Sequence, residues 1–222
     1  MVSVMPTPRL SIIIISYNTA ELTKRTLETV LRDAQQSDLL SSLEILIVDN
    51  ASTDDSVAQL RQFLRKSPLT PKQWRLWAET VNIGFGKANN LAVSQARGDF
   101  VFLLNSDTEI ELGTLATLLA CLEHEGEKRL VAAQLLNEDG SLQHQGGDEL
   151  GLLSLLGQWW WLARLPGLGR YLPSLQGARV WRRLRSQTRL RSGRSEGRSE
   201  TLSSSQLMEQ GWVGATALML SR

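Results

Sequence analysis

Three short apolar runs, each cut off by polar groups, constrain this chain more than any other feature. Phe100 to Leu104 is an unbroken apolar stretch that ends in Asn105-Ser106-Asp107. Leu43 to Val48 ends in Asp49-Asn50, and Ser11 to Ile15 ends in Ser16-Tyr17-Asn18. Runs of this kind read as strands buried on both faces, the habit of parallel sheets. Ligands of open α/β sheets bind beyond the carboxyl ends of the strands. Three strands delivering polar groups to one sheet edge therefore define a candidate site. A carboxylate there, with amide and hydroxyl neighbours, suits a hard divalent cation that can clamp a diphosphate.

Between these runs the pattern alternates strand and helix, the signature of a layered α/β fold. A helix is expected from about Ala20 to Arg32, with Leu27, Val30 and Leu31 on its apolar face. After Asp49-Asn50, Ser52 and Asp55 stand at capping-box spacing, which predicts a helix from about Thr53 to Arg65. A short strand, Arg75 to Ala78, precedes Asn82-Ile83-Gly84-Phe85-Gly86. A helix from about Lys87 to Ala96 follows, with Gly98 at the place of a C′ glycine. Leu112 to His124 reads as a further helix. Leu130 to Leu136 and Ser141 to Gln145 flank a turn at Asn137-Glu138-Asp139-Gly140. Trp212 to Leu220 reads as one more strand.

Charge is uneven. The 222-residue chain has a formal net charge of +1, yet residues 151–200 carry ten Arg, no Lys and two Glu. Everything before them is acidic on balance. The single Cys121 excludes an intramolecular disulfide framework and any CxxC metal site, and favours a reducing compartment. No secretory signal is visible at the start. The apolar stretch Leu150 to Ala163 is too short for a membrane span. His124 and His144 are too far apart in sequence to suggest a metal pair and read as solvated side chains. An NAD-dependent oxidoreductase would need GxGxxG after the first strand. Here the residues are Ser16-Tyr17-Asn18-Thr19, which argues against it. A nucleotidyltransferase would need a Gly-rich, basic first loop, also absent.

Six segments carry a family resemblance: SIIIISYN at 11–18, LIVDNASTDDS at 46–56, NIGFGKANN at 82–90, GDFVFLLNSDT at 98–108, NEDGSLQHQGG at 137–147 and GWVGATALMLSR at 211–222. In this order and spacing the chain resembles the family 2 glycosyltransferases of the GT-A fold, with its nearest likeness to a rhamnosyltransferase-like bacterial branch. The resemblance implies an α/β, Rossmann-like three-layer fold with a mainly parallel central sheet. It implies an enzyme that moves a sugar, rhamnose as the leading donor sugar, from a dTDP- or UDP-sugar to a polysaccharide or lipid-linked glycan acceptor, with inversion.

Carried onto this sequence, the resemblance places Ser16, Tyr17 and Asn18 along the nucleotide pocket. Asp49 would accept a hydrogen bond from the pyrimidine imide, with Asn50 beside it. Asn82, Gly84, Phe85 and Asn89 would shape the ribose and sugar side. Asn105-Ser106-Asp107 occupies the family's Asp-x-Asp position, which leaves Asp107 as the metal-binding carboxylate for Mg²⁺ or Mn²⁺. Trp212, Gly214 and Ala215 match the acceptor-side segment. The family's catalytic acid follows the strand that here ends at Ser221-Arg222, so no catalytic base is assigned. The competing reading is a truncated or degenerate module that binds nucleotide sugar without turnover.

The expected organisation is a nucleotide-sugar-binding core over 1–147, a Trp/Arg-rich insertion over 148–205 and the start of an acceptor-side segment over 206–222. Trp159 to Trp161 beside the Arg-rich segment suit an anionic membrane surface, and a flexible solvated insertion fits equally. Nucleic acid is not expected as a partner, because no base-reading motif accompanies the Arg residues and the core is acidic. The implied location is cytoplasmic, peripheral to the inner face of the membrane. The reading stands on one structural expectation. The strands starting near Ser11, Leu43 and Asp99 should lie parallel in one sheet, with Asn18, Asp49 and Asp107 at one edge; coordinates placing Asp49 and Asp107 at opposite edges would exclude the site.

Overall fold

The computed structural model describes residues 7–124, 130–137, 141, 143, 146–147, 212–213 and 217–221. The chain divides into two compact units, Met1–Ala133 with Ala215–Arg222, and Gln134–Gly214. In the first unit, β1 (Leu10–Ser16), α1 (Ala20–Gln36), β2 (Leu43–Asp49), α2 (Ser56–Lys66), β3 (Trp74–Ala78), α3 (Phe85–Gln95), β4 (Phe100–Asn105), α4 (Thr114–His124) and β5 (Leu130–Ala132) follow in order. In the second, β6 (Gly146–Gly147) pairs antiparallel with β7 (Trp212–Val213). The last strand, β8 (Ala217–Ser221), belongs to the first unit.

The main sheet has six strands in the order β3-β2-β1-β4-β8-β5. The strands β3, β2, β1 and β4 are mutually parallel, and β8 runs antiparallel to both its neighbours. Every residue of β1 and β2 is buried. Such strands need cover on both faces, which is why their sequences are apolar almost throughout. Alternate residues serve the two faces. Ile13, Ile15, Leu46, Val48 and Val101 pack with Ala88, Ala92 and Ala96 of the α3 segment. Those alanines recur every fourth position and let the helix approach the sheet closely.

The chain leaves β1 toward β2 and β3, then crosses back through α3 to β4 on the other side of β1. The order therefore reverses between β1 and β4. This is the topological switch point, where the loops on either side part and leave a crevice at the carboxyl edge. Register brings the strand ends level: Ser16 is opposite Asp49, and Ile15 is opposite Asn105. The parallel sheet and the common edge are as the apolar runs indicated.

Several local expectations need correction. The α2 helix begins at Ser56, with Asp55 at the cap position and no side-chain cap bond. Ser52 is not a helix cap, because its hydroxyl is committed to Asp49. Gly98 is not a left-handed C′ residue. A Cβ there would stand 2.7 Å from the Ser11 backbone nitrogen and 2.8 Å from its hydroxyl, so glycine is required by close approach of two backbones. The stretch read as one strand from Trp212 to Leu220 holds two, because β7 pairs with β6 while β8 enters the sheet between β4 and β5. The strand expected over Leu130 to Leu136 is regular only to Ala132. Beyond it the Asn137 N–H donates to the Ser141 carbonyl at 2.8 Å and the Gln143 N–H to the Leu135 carbonyl at 2.9 Å. These bonds bracket the expected turn, whose residues 138–140 lie outside the described residues, as do 148–211.

At the amino edge of the sheet a buried carboxylate ties three elements together. Glu44 accepts from the Ser11 hydroxyl at 2.8 Å, the Arg97 backbone N–H at 3.0 Å and the Arg97 Nε at 2.7 Å. Gly98 adjoins this cluster through its N–H to the Ser11 hydroxyl at 2.9 Å. Gly98→Ala should force this junction apart and lower stability by about 1–3 kcal/mol. Gly86→Ala, in the first turn of α3 with open space around the new methyl, should be neutral or stabilising by about 0.4–1 kcal/mol. Urea unfolding of the two variants checks the contrast.

Candidate functional site

At the switch point lies a cleft of about 440 Å³. Ile15, Tyr17 and Thr19 line it from the end of β1, and Asn105, Ser106 and Asp107 from the end of β4. Asn50 follows β2, while Asn82 and Phe85 lead into α3, and these complete the wall. Tyr17 and Phe85 are half exposed, at 48% and 49%. The lining thus offers two open aromatic surfaces, three amides, three hydroxyls with that of Tyr17, and one carboxylate.

The loops that carry these groups are laced by side chains. Asp49 is fully buried, and its carboxylate accepts from the Ser52 N–H at 2.8 Å and the Ser52 hydroxyl at 2.6 Å. Ser52 in turn accepts from the Asn18 N–H at 2.8 Å, and the Asn18 side-chain oxygen accepts from the Thr53 N–H at 2.9 Å. Asn18 and Ala51 sit in the left-handed region, at φ 52° and 69°. For Ala51 that conformation costs about 1–2 kcal/mol. Fixed bonds on either side hold it, from the Asn50 N–H to the Ser16 carbonyl and from Ser52 to Asp49.

Asn50 does the same for the next loop. Its side-chain oxygen accepts from the Ile83 N–H, and its amide donates to the Asn82 side-chain oxygen, both at 2.9 Å. That oxygen also accepts from the Gly84 N–H at 2.9 Å. Gly84 has φ 84°, a conformation glycine adopts without strain.

Of the residues singled out by sequence, the cleft brings together Tyr17, Asn50, Asn82, Phe85, Asn105, Ser106 and Asp107. Ser16, Asn18, Asp49, Gly84 and Asn89 stand outside the lining. Ser16 and Asp49 are buried at the strand ends, and the Asn89 amide donates to the Phe85 carbonyl within α3. Trp212 lies in β7 of the second unit, and Gly214 and Ala215 lie outside the described residues. Ile15 and Thr19 were missed. Ile15 closes an apolar run and reads as core, and Thr19 carries no sequence signal beyond its place after Asn18. Ser52 reads from the sequence as a helix cap, although a serine three residues beyond a strand-end acid can donate both its N–H and its hydroxyl back to that acid.

This fold is shared with known proteins. The family model of glycosyl transferase family 2 matches residues 11–165. The chain belongs to that family, and its fold is the GT-A fold. It is 29% identical over 133 residues to the poly(ribitol-phosphate) beta-N-acetylglucosaminyltransferase TarS of Staphylococcus aureus, a match covering 60% of this chain and 22% of that protein. It is 29% identical over 138 residues to the GalNAc(5)-diNAcBac-PP-undecaprenol beta-1,3-glucosyltransferase of Campylobacter jejuni, covering 62% of this chain and 42% of that one. The chain therefore spans less than half the length of either relative. Among solved structures, the mannosyltransferase PcManGT of Pyrobaculum calidifontis, in complex with GDP-Man and Mn²⁺, superposes with a TM-score of 0.51 at 26% identity. That match covers 59% of this chain and 36% of PcManGT.

The lacing makes a checkable statement about stability. Ser52→Ala removes the hydroxyl that Asp49 and Asn18 share and leaves a buried carboxylate short of a donor. The expected loss is about 1.5–3 kcal/mol, the usual range for a hydrogen bond to a charged group. It should appear as a lower urea midpoint with an unchanged slope.

Proposed function

We propose that the cleft binds the nucleotide-diphosphate part of a sugar donor and that the protein this chain represents transfers the sugar to a glycan hydroxyl. The observation that carries this reading is the convergence of three strand-end loops at the switch point, with one exposed carboxylate among amides and two open aromatic rings. The rings offer flat surfaces to a base, and the amides and hydroxyls offer hydrogen bonds to ribose and phosphate oxygens.

The donor set suits a divalent cation held jointly with the ligand. Among the described residues no three His, Cys, Asp or Glu side chains cluster, so a cage made wholly of protein is not the model. Mg²⁺ is commonly bound by one or two carboxylates plus substrate phosphates. Asp107 is exposed and has no hydrogen bond or ion pair among the described residues, whereas Asp49 is committed to Ser52. Asp107 would hold the cation, with Asn105 and Ser106 beside it. When bound, Mg²⁺ or Mn²⁺ would neutralise the charge that develops on the diphosphate as it leaves. Asp49 keeps two lone pairs beyond those used by Ser52.

The finer assignments rest on the motifs and on what the relatives' names describe. A dTDP- or UDP-linked donor, rhamnose as its sugar and an inverting outcome follow the motif resemblance. A lipid-linked acceptor has its parallel in the undecaprenol-linked substrate named for the Campylobacter relative. Residues 148–205 form a Trp- and Arg-rich insertion that contacts anionic lipid at the inner face of the membrane, a reading supported by the ten Arg over 151–200. Trp212, Gly214 and Ala215 belong to the acceptor side. No described helix is long and apolar enough to cross a membrane.

Calorimetry with UDP, dTDP and GDP, with and without Mn²⁺, tests the central claim. Mn²⁺ should raise nucleoside-diphosphate affinity. Asp107→Asn should remove roughly tenfold or more of that gain and leave nucleoside binding unchanged, because Asp107 acts on the diphosphate through the cation. Equal losses for diphosphate and nucleoside would refute the assignment.

A further inference from the structure

The α1 helix carries an unusual buried stripe. Thr23, Thr26, Thr29 and Asp33 are all buried polar residues on a helix whose other buried positions include Leu27, Val30, Leu31 and Ala34. Thr23 donates to the Thr19 carbonyl at 2.8 Å, and the other three reach one segment, the connection from β4 to α4. The Thr26 hydroxyl donates to the Ser106 carbonyl at 3.0 Å. The Thr29 hydroxyl accepts from the Ile110 N–H at 3.1 Å and donates to the Thr26 carbonyl at 2.9 Å. The Asp33 carboxylate accepts from the Gly113 N–H at 2.5 Å and the Leu115 N–H at 2.8 Å, and so satisfies donors at the start of α4. One helix face therefore holds the connection at three points.

The first of those points bears on the cleft. The Ser106 carbonyl is half of the peptide group whose other half is the Asp107 nitrogen. That group is planar, so a hydrogen bond to the carbonyl oxygen orients the whole plane and with it the start of Asp107. The Asp107 side chain has no partner among the described residues and cannot fix itself. Among the described residues the turn is otherwise held by the Thr108 N–H donating to the Asn105 carbonyl at 3.3 Å and by the Thr19 hydroxyl donating to the Ser106 hydroxyl at 3.4 Å. Of the bonds that hold this turn among the described residues, the one from Thr26 is the shortest and the one made to the peptide that Asp107 shares.

We propose that Thr26 is a positioning residue for Asp107: by orienting the Ser106–Asp107 peptide from the buried side, it determines how well the carboxylate shares a cation with a bound diphosphate. The inference rests on the reading of Asp107 given above. Thr29 and Asp33 secure the far end of the connection and the start of α4, away from that peptide. Removing a group that orients a metal ligand commonly lowers metal affinity roughly 10–100-fold, and that is the effect expected here.

The experiment compares Mn²⁺-dependent UDP affinity with Mn²⁺-independent uridine affinity in the full chain, by calorimetry and ligand-observed NMR. Thr26→Val keeps the shape of the side chain and removes the donor. It should lose roughly 10–100-fold of the Mn²⁺-dependent UDP affinity with uridine binding unchanged. Thr26→Ser should restore it. Thr29→Val breaks a buried bond of the same kind at Ile110 and should leave the Mn²⁺ effect intact. If Thr26→Val does not fold, Thr26→Cys, with only a weak S–H donor, takes its place with the same expected loss. A wild-type Mn²⁺ gain that survives loss of the Thr26 hydroxyl would overturn this inference alone. So would a loss shared by Thr29→Val, or one that serine does not rescue, since each marks a general structural effect. Absence of any Mn²⁺ gain in the wild-type chain would instead overturn the reading of Asp107 itself.

Discussion

The strand β1 must be buried on both faces and paired on both edges, and the rest of the described core is arranged to satisfy it. Ile12, Ile13 and Ile14 have no exposed surface, and their neighbours on β2 and β4 are equally enclosed or nearly so, apart from the partly buried Leu103. A strand in that position can carry polar side chains only where it leaves the sandwich or where a partner meets them. At the amino edge the partner for Ser11 is Glu44, itself paired with Arg97. At the carboxyl edge the strands release Ser16 and Asp49 opposite each other and Asn105 one position earlier, opposite Ile15. Because the chain order reverses beside β1, the loops there diverge and leave the cleft open.

Polar groups at that edge would be a liability if they were left to water and to chance. Desolvating an unpaired carboxylate costs far more than one hydrogen bond returns. Asp49 avoids this by taking both donors of Ser52, and the Ser52 hydroxyl then holds the Asn18 backbone. Asn50 satisfies the Ile83 N–H and, through Asn82, steadies the entrance to α3. The consequence for function is preorganisation. Tyr17, Asn82 and Phe85 face the cleft from segments whose backbones are tied by side-chain amides and hydroxyls, some part-buried and some at the surface. Asp107 differs, since its own side chain is open and its place is inherited from the backbone.

The described structure also shows how a helix can serve two purposes from one buried face. Leu27, Val30 and Leu31 of α1 contribute to the core, while Thr26, Thr29 and Asp33 grip the connection after β4. Threonine suits this task because it is nearly isosteric with valine and fits a packed interface, yet its hydroxyl can reach a main-chain partner across it. The grip links the helix after β1 to the acid after β4, the two sides of the switch point.

Much of this was legible in the amino-acid order. The apolar runs of β1, β2 and β4 are long enough and bare enough of alternation to mark parallel strands, and their terminal polar residues mark the edge. The motifs around Asn18, Asp49, Asn82 and Asp107 were sufficient to indicate the family, because each reflects a backbone requirement at a strand end. Local spacing was less reliable. Ser52 and Asp55 satisfy a capping-box pattern, but the buried Asp49 carboxylate competes for the Ser52 hydroxyl and wins. Gly98 stands where a helix terminator would, but it is needed for the approach of the Ser11 backbone. Nothing in the order of residues distinguished the threonines of α1 that bind the β4–α4 connection from threonines that face solvent. The sequence by itself determined which segments must be buried and where polarity begins, since burial follows from composition along each strand. Only the tertiary structure decided which polar group meets which, because these bonds between elements join residues 32 to 87 positions apart, and no local pattern encodes a partner at that distance.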